Sequence, residues 1–522
     1  MRGKIKLALM ALMMMACSKE GLNSGSNQEH DYLLNRSNEE IVLGERLENP
    51  YTTENIEKVL RSLYPTKAGE VHVNPTDLYV RFLPASQEEY DELSAKELLL
   101  FDHPLDYEIK VEGDWYHDPE IPQGQITWQY AVVPVGFEFP DIRYEIIDEC
   151  FIAENDPDTK SDGNVDWDEV ERQAYIQTGN QNMLATQTKA SDAVRPKGRI
   201  TIVDKHYNGG KAIGVSGVSV SCNSFVKTDN AFTDKDGNYE MSKKFTADLN
   251  YRLVFENKEN FSIGLNLVLV PASTSSLGKA SPSGLSKTIT KDSGDILFKR
   301  CAVNNAVYDY IKRCERNDLN LTSPPAGLRI WILHNLKYSG TLMMHQGALL
   351  ENNLFKTFLG EYAGLIKVFL PDLALGLKND DDYRDIYSTT CHHLAHGSHF
   401  SRVGVTYWNT YLKYRIKALT TGQYYGSGSG TGAGHCEVAE MWAYYMESVM
   451  YKGRYGGNLP TFGNGYWFKP EILRELHRNG LSCNDILSVL DHDVDSKDDF
   501  EKELIYQFSS KRTQIVKAFD KY

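Results

Sequence analysis

The chain has 522 residues, 41% hydrophobic and 11% aromatic, which is apolar material for several cores and a length that suggests roughly two to four domains. Its formal charge of −15 argues against nucleic acid or an anionic lipid surface as a partner, since both need basic patches. Eight cysteines, at 17, 150, 222, 301, 314, 391, 436 and 483, are too irregularly spaced for a disulfide framework. A Cys301–Cys314 bridge is one alternative, and buried free thiols are the default.

Met1 to Lys6 is short and basic, Leu7 to Ala16 is apolar, and Cys17 follows directly. The apolar run is too short for a permanent membrane span. Met14-Met15-Ala16-Cys17 resembles a bacterial lipoprotein signal. That resemblance implies removal of residues 1–16, lipidation of Cys17, and a polar tether over 17–30. Ser18-Lys19-Glu20 is similar to the surface-export signal of some gram-negative lipoproteins, so the expected location is the bacterial cell envelope, at the outer membrane and exposed at its surface.

Residues 31–190 mix helix and strand patterns. Glu54 to Leu63 is amphipathic, Asp77 to Leu83 and Thr127 to Val133 alternate as strands do, and Glu88 to Leu98 suits a helix. An α+β accessory domain without catalytic spacing is expected. Asp158 to Glu169 fits a calcium loop at Asp158, Asp162, Gly163, Val165, Asp166 and Glu169, but Lys160 puts a positive charge where a third-position oxygen should be. A Ca2+ site and a plain acidic surface loop are the two readings.

Over 191–290 short alternating strands are punctuated by Asp-Gly: Lys197 to Val203, Gly214 to Cys222, the turn Thr233 to Tyr239, and Tyr251 to Phe255. This texture predicts a small β-sandwich. The turn Thr233-Asp234-Lys235-Asp236-Gly237-Asn238-Tyr239 resembles that of the carboxypeptidase regulatory-like (transthyretin-like) domain, which implies a non-catalytic spacer or recognition module. Pro271 to Lys287, rich in Ser, Gly and Ala, reads as a linker or exposed loop.

From about 300 to 522 the pattern is helical: Cys301 to Arg313, Leu349 to Leu359, Asp385 to Phe400, Thr410 to Leu419, Glu437 to Tyr451, Lys469 to Gly480 and Phe500 to Tyr522. His392, His396 and His399 form one stripe on such a helix, and imidazoles one turn apart can grip a metal ion. After the Gly/Ser-rich run 425–434, Glu437, Glu440 and Glu447 fall near one helix face. Acidic residues on a solvated face are the plain alternative.

A His-x-x-x-His pair followed some forty residues later by a helical glutamate resembles the gluzincin group of zinc peptidases. The resemblance runs over roughly 300–520 and implies a mainly helical zincin-like domain. By it His392, His396 and Glu440 are the Zn2+ ligands, with Glu437 as partner of a ligand or as an alternative ligand. The departure is His393, which stands where the H-E-x-x-H pattern has its general-base glutamate. Glu437 is the nearby candidate for a substitute carboxylate. The expectation is a multidomain α+β envelope lipoprotein that resembles zinc metallopeptidases acting on peptide, weakly active or inactive. The alternative is a non-enzymatic surface lipoprotein that binds peptide or glycan.

Overall fold

In a computed structural model the chain is described over residues 40–522, apart from 66–71, 123–124, 157–158, 160–164, 185–192, 265–272, 316–318, 335–338, 350–369, 379, 381, 421–422, 424 and 463–464. Cys17 and the expected signal and tether therefore lie outside the described residues, as does half of the acidic loop 158–169. Of that loop, Asp166 caps the following helix by accepting the Glu169 N–H, and Glu169 accepts from Gln173 in the same helix. The expected helix Leu349 to Leu359 also falls outside, save for Leu349 itself.

The architecture is multidomain α+β. In the N-terminal part, strand β1 (Val42–Arg46) pairs with β3 (Tyr107–Val111). Strand β2 (Asp77–Phe82) lies between β4 (Gln129–Pro134) and β5 (Tyr144–Cys150), antiparallel to both. Helix α1 (Thr53–Leu63) packs on α3 (Trp167–Gln177), and the short α2 (Gln87–Ser94) follows β2. Side-chain caps from Thr52, Ser86 and Asp166 start these three helices by taking up a free backbone N–H.

Two sheets follow. The smaller joins β6 (Lys197–Ile202) to β10 (Asn238–Glu240), β14 (Lys287–Ile289) and β7 (Ile213–Gly214). The expected turn is real: Asp234 Oδ1 accepts from the Asp236 and Asn238 N–H groups, at 2.8 and 2.9 Å. Gly237 there has φ +84°, and a Cβ would collide with the Ile200 carbonyl.

The larger sheet holds β9 (Lys227–Phe232), β8 (Val218–Ser224) and β11 (Leu249–Asn257), with β13 (Thr274–Ala280) on β11. β13 and β14 correct the linker reading of 271–287. Ser275 and Leu277 are buried there, so the serines serve a strand and not a tether.

That sheet does not stop at the expected boundary near 290–300. β12 (Phe261–Ile263) runs parallel to β15 (Leu328–Leu333), β15 parallel to β17 (Leu373–Gly376), and β16 (Gly340–Thr341) closes the edge antiparallel to β17. A single apolar core runs from Ile200 through Leu375 to Phe519. The last region is thus mostly helical, with three short strands among its described residues.

Its helices are α4 (Asp295–Glu315), α5 (Tyr383–Thr420), α6 (Ala433–Tyr455), α7 (Glu471–Arg478), α8 (Cys483–Ser488), α9 (Lys497–Gln507) and α10 (Arg512–Asp520). Helices α5 and α6 pack along each other, and α4 packs on α5. Cys301 and Cys314 are not bridged; they and the other five described cysteines are buried free thiols. Among the described residues no helix is long and apolar enough to cross a membrane.

Candidate metal centre

Helix α5 is broken at Gly404, whose φ of 73° and ψ of −176° no regular helix contains. In one straight helix, residues 396 and 411 would stand about 22 Å apart along the axis. Instead the His396 and Tyr411 rings lie 5.7 Å apart, and His396 and Trp408 are equally close. The chain folds back at Gly404, so the second half of α5 walls the first.

Helix α6 forms the other wall. A run of glycines in left-handed conformations turns the chain into it, the last being Gly432 with φ +86°. Trp442 fixes its depth by donating from Nε1 to the Ala395 carbonyl at 3.0 Å.

Between these walls His392, His396 and Glu440 converge. Glu440 Oε2 lies 3.6 Å from Nε2 of His392 and 3.6 Å from Nε2 of His396. All three are buried, at most 4% exposed. One ligand atom from each falls within 4.8 Å of the others, so the group could hold a metal ion. An ion bound tetrahedrally through bonds of about 2.0–2.1 Å sets its ligand atoms roughly 3.4 Å apart. The two distances from Glu440 Oε2, 3.6 Å each, lie close to that value.

The surroundings suit that task. Glu447, about two turns beyond Glu440 and fully buried, places Oε2 3.2 Å from His392 Nδ1, while Oε1 accepts from Ser388 at 2.5 Å. A carboxylate on Nδ1 keeps the proton there and leaves Nε2 with its lone pair, the arrangement usual behind metal-binding histidines. The other carboxylate oxygen of Glu440 accepts from the Tyr411 hydroxyl at 2.9 Å and lies 3.6 Å from Arg415 Nη1. Burial pushes the Glu440 carboxyl up, but His396, Arg415 and His392 outweigh it and hold it well below the usual carboxylate range.

His393 stands beside the trio without joining it. Its Nδ1 is 3.0 Å from Thr341 Oγ1 on the edge strand β16, and the same hydroxyl donates to the His393 carbonyl at 3.1 Å. A hydroxyl has one proton, so with that proton on the carbonyl it accepts from Nδ1–H, which puts the lone pair of the neutral ring on Nε2.

His399, the third member of the stripe, packs against Tyr407 and Trp408 instead. Burial, with the neighbouring His396, pushes its ring down to about 3 and keeps it neutral. Glu437 lies away from the trio, near Lys497 at the start of α9; burial raises its carboxyl and Lys497 opposes that. The partner of His392 is thus Glu447 and not Glu437.

Tyr411 and Arg415 had no sequence signal of their own, because their approach depends on the fold-back at Gly404. An aromatic group, Tyr425, Tyr444 and Tyr466, linked by hydroxyl contacts of 2.7 and 3.2 Å, borders the site, with the Tyr444 ring 4.6 Å from that of His392.

Likeness to known proteins adds nothing to this picture. No protein-family model, no curated protein and no solved structure matches the chain.

Proposed function

We propose that the chain is a zinc-binding, metallopeptidase-like protein of the bacterial envelope whose hydrolytic power is weak or absent, with His392, His396 and Glu440 as ligands. The observation that carries this reading is the meeting of two imidazole Nε2 atoms and one carboxylate oxygen in a buried spot, backed by Glu447. Two histidines and one glutamate, all neutral or anionic donors of borderline softness, suit zinc. Bound zinc polarises a carbonyl and acidifies water. The residue that would take the proton is not a carboxylate here: His393 occupies that place in sequence, and loss of a general base typically costs about 10²–10⁴ in rate. Attachment through a lipidated Cys17, and a peptide as the substrate or ligand, belong to the same proposal and rest on the sequence.

The burial of the whole ligand set and the engagement of His393 by Thr341 favour a second reading, a non-enzymatic lipoprotein in which the ion is a staple and peptide or glycan binds elsewhere. One experiment separates the two. Wild type, His393→Glu and His396→Ala, purified without chelator, are assayed for zinc by mass spectrometry and for cleavage of a mixed peptide library. The proposal expects stoichiometric zinc in wild type and His393→Glu, a gain of cleavage in His393→Glu, and loss of zinc in His396→Ala. Zinc without any gain of cleavage supports the staple, and zinc well below stoichiometry in wild type refutes the metal site.

A further inference from the structure

A buried carboxylate that awaits a cation has to survive without one. Glu440 is fully buried, and an uncompensated charge there is strongly destabilising. Arg415, on the returning half of α5, is also fully buried. Its guanidinium stacks over the Tyr425 ring at 4.5 Å and brings Nη1 to 3.6 Å from Glu440 Oε1, the oxygen turned away from the histidines. Tyr411 adds a hydrogen bond to the same oxygen. The carboxylate is thus divided: one oxygen faces the protein's own cation and a hydroxyl, the other faces the two imidazoles. A guanidinium keeps its proton at any working pH.

From this geometry we infer that Arg415 is a resident counter-ion that stands in for the metal when the site is empty and thereby sets the site's affinity. The inference rests on the metal reading above and adds to it how tightly the ion is held. Arg415 and a bound dication neutralise the same carboxylate and repel each other, so each weakens the case for the other. By linkage, the residue that stabilises the empty protein loosens the ion. It also restricts Glu440 to coordination through Oε2 alone. The site then belongs to a protein that can lose its ion and stay folded.

The test uses the purified full-length protein, its Arg415→Met variant, which keeps the length and removes the charge, and Arg415→Lys, which keeps the charge. Two readouts are taken: zinc affinity by competition with a chromogenic chelator, and melting temperature with zinc or with EDTA. Arg415→Met should melt lower than wild type in EDTA, recover most of that loss with zinc, and bind zinc at least about tenfold more tightly, within the range usual for coupled sites. Arg415→Lys should stay close to wild type in both readouts.

If Arg415→Met binds zinc no more tightly than wild type, or loses as much stability with zinc as without it, the counter-ion role is wrong while the metal site stands. Arg415→Lys behaving as Arg415→Met would overturn the role of charge. Zinc binding by Arg415→Met alone would support the stand-in and overturn zinc occupancy in wild type; binding by neither would overturn both. Should Arg415→Met fold only when zinc is supplied, that itself is the expected result in its extreme form.

Discussion

On the proposed zinc site, replacing Glu447 by Gln should weaken zinc binding by about ten- to a hundredfold. The change keeps the shape of a fully buried side chain and removes its charge. In the native site Oε2 lies 3.2 Å from His392 Nδ1 and Oε1 holds the Ser388 hydroxyl. An amide has two ways to fill that place. With its oxygen toward Nδ1 it keeps a neutral hydrogen bond and loses the charge assistance. With its nitrogen there it donates, which drives the His392 proton to Nε2, the atom that must bind the ion. A hydrogen bond to a charged group is worth about 1.5–3 kcal/mol, and a ten- to hundredfold loss of affinity is about 1.4–2.8 kcal/mol, so the two figures agree. Chelator competition on wild type and Glu447→Gln reads the difference directly. Melting in EDTA is the control, since a neutral amide is easier to bury than a carboxylate and the empty protein should not lose stability. Unchanged zinc affinity in Glu447→Gln would mean that His392 is not held by Glu447 for the sake of a metal.

Two further expectations concern the frame around the site. Burial pushes the Asp372 carboxyl up to about 7 from its ordinary 3.8, against the backbone N–H groups of Arg329 and Gln346 that it accepts. A group raised on folding binds its proton more tightly in the native state, so its contribution is full below the unfolded value and is lost as pH rises through about 7. Asp372→Asn, neutral throughout, should therefore show a smaller fall in melting temperature between about pH 5 and pH 8; equal falls in both proteins would refute this. At the entry of α6, a Cβ on Gly434 would overlap the Asp495 carbonyl. Gly434→Ala should cost about 1–3 kcal/mol in urea unfolding, and an unchanged midpoint would show that the 495–496 segment yields freely.

Much of the helical layer was legible because it obeys local rules. The pair His392 and His396 lies one turn apart, and Glu440 follows a glycine-rich turn into a long helix, so both could be placed before any coordinates. The break at Gly404 was also visible, as a gap between two helical stretches. What the gap does was not: only the fold-back brings Tyr411 and Arg415 to Glu440, and contact across the gap has no periodic signature. Glu437 was the expected partner of a ligand, and Glu447, which spacing placed only near the same face, takes that part beside His392 because of how the helix is rotated. β15 was missed because a short apolar run such as Leu328 to Leu333 suits a buried helix as well as a strand, and β13 because its serines look like a tether although every second residue faces inward at Ser275 and Leu277.

The strand ladder from β9 to β16 also bears on how such a protein can be cut and recombined. β15 has its neighbour β12 in a segment that composition assigns to a separate sandwich, so the junction near 290–300, which looks like a seam, crosses a continuous run of hydrogen bonds. Residues before that junction are no detachable bead on a string. A graft or fusion made there would leave bare edges on both pieces, ready to pair with a stranger's strand. Exchange of parts during evolution would then favour the whole sheet as the inherited unit, carrying the edge strand that touches His393 along with the turn at Asp234.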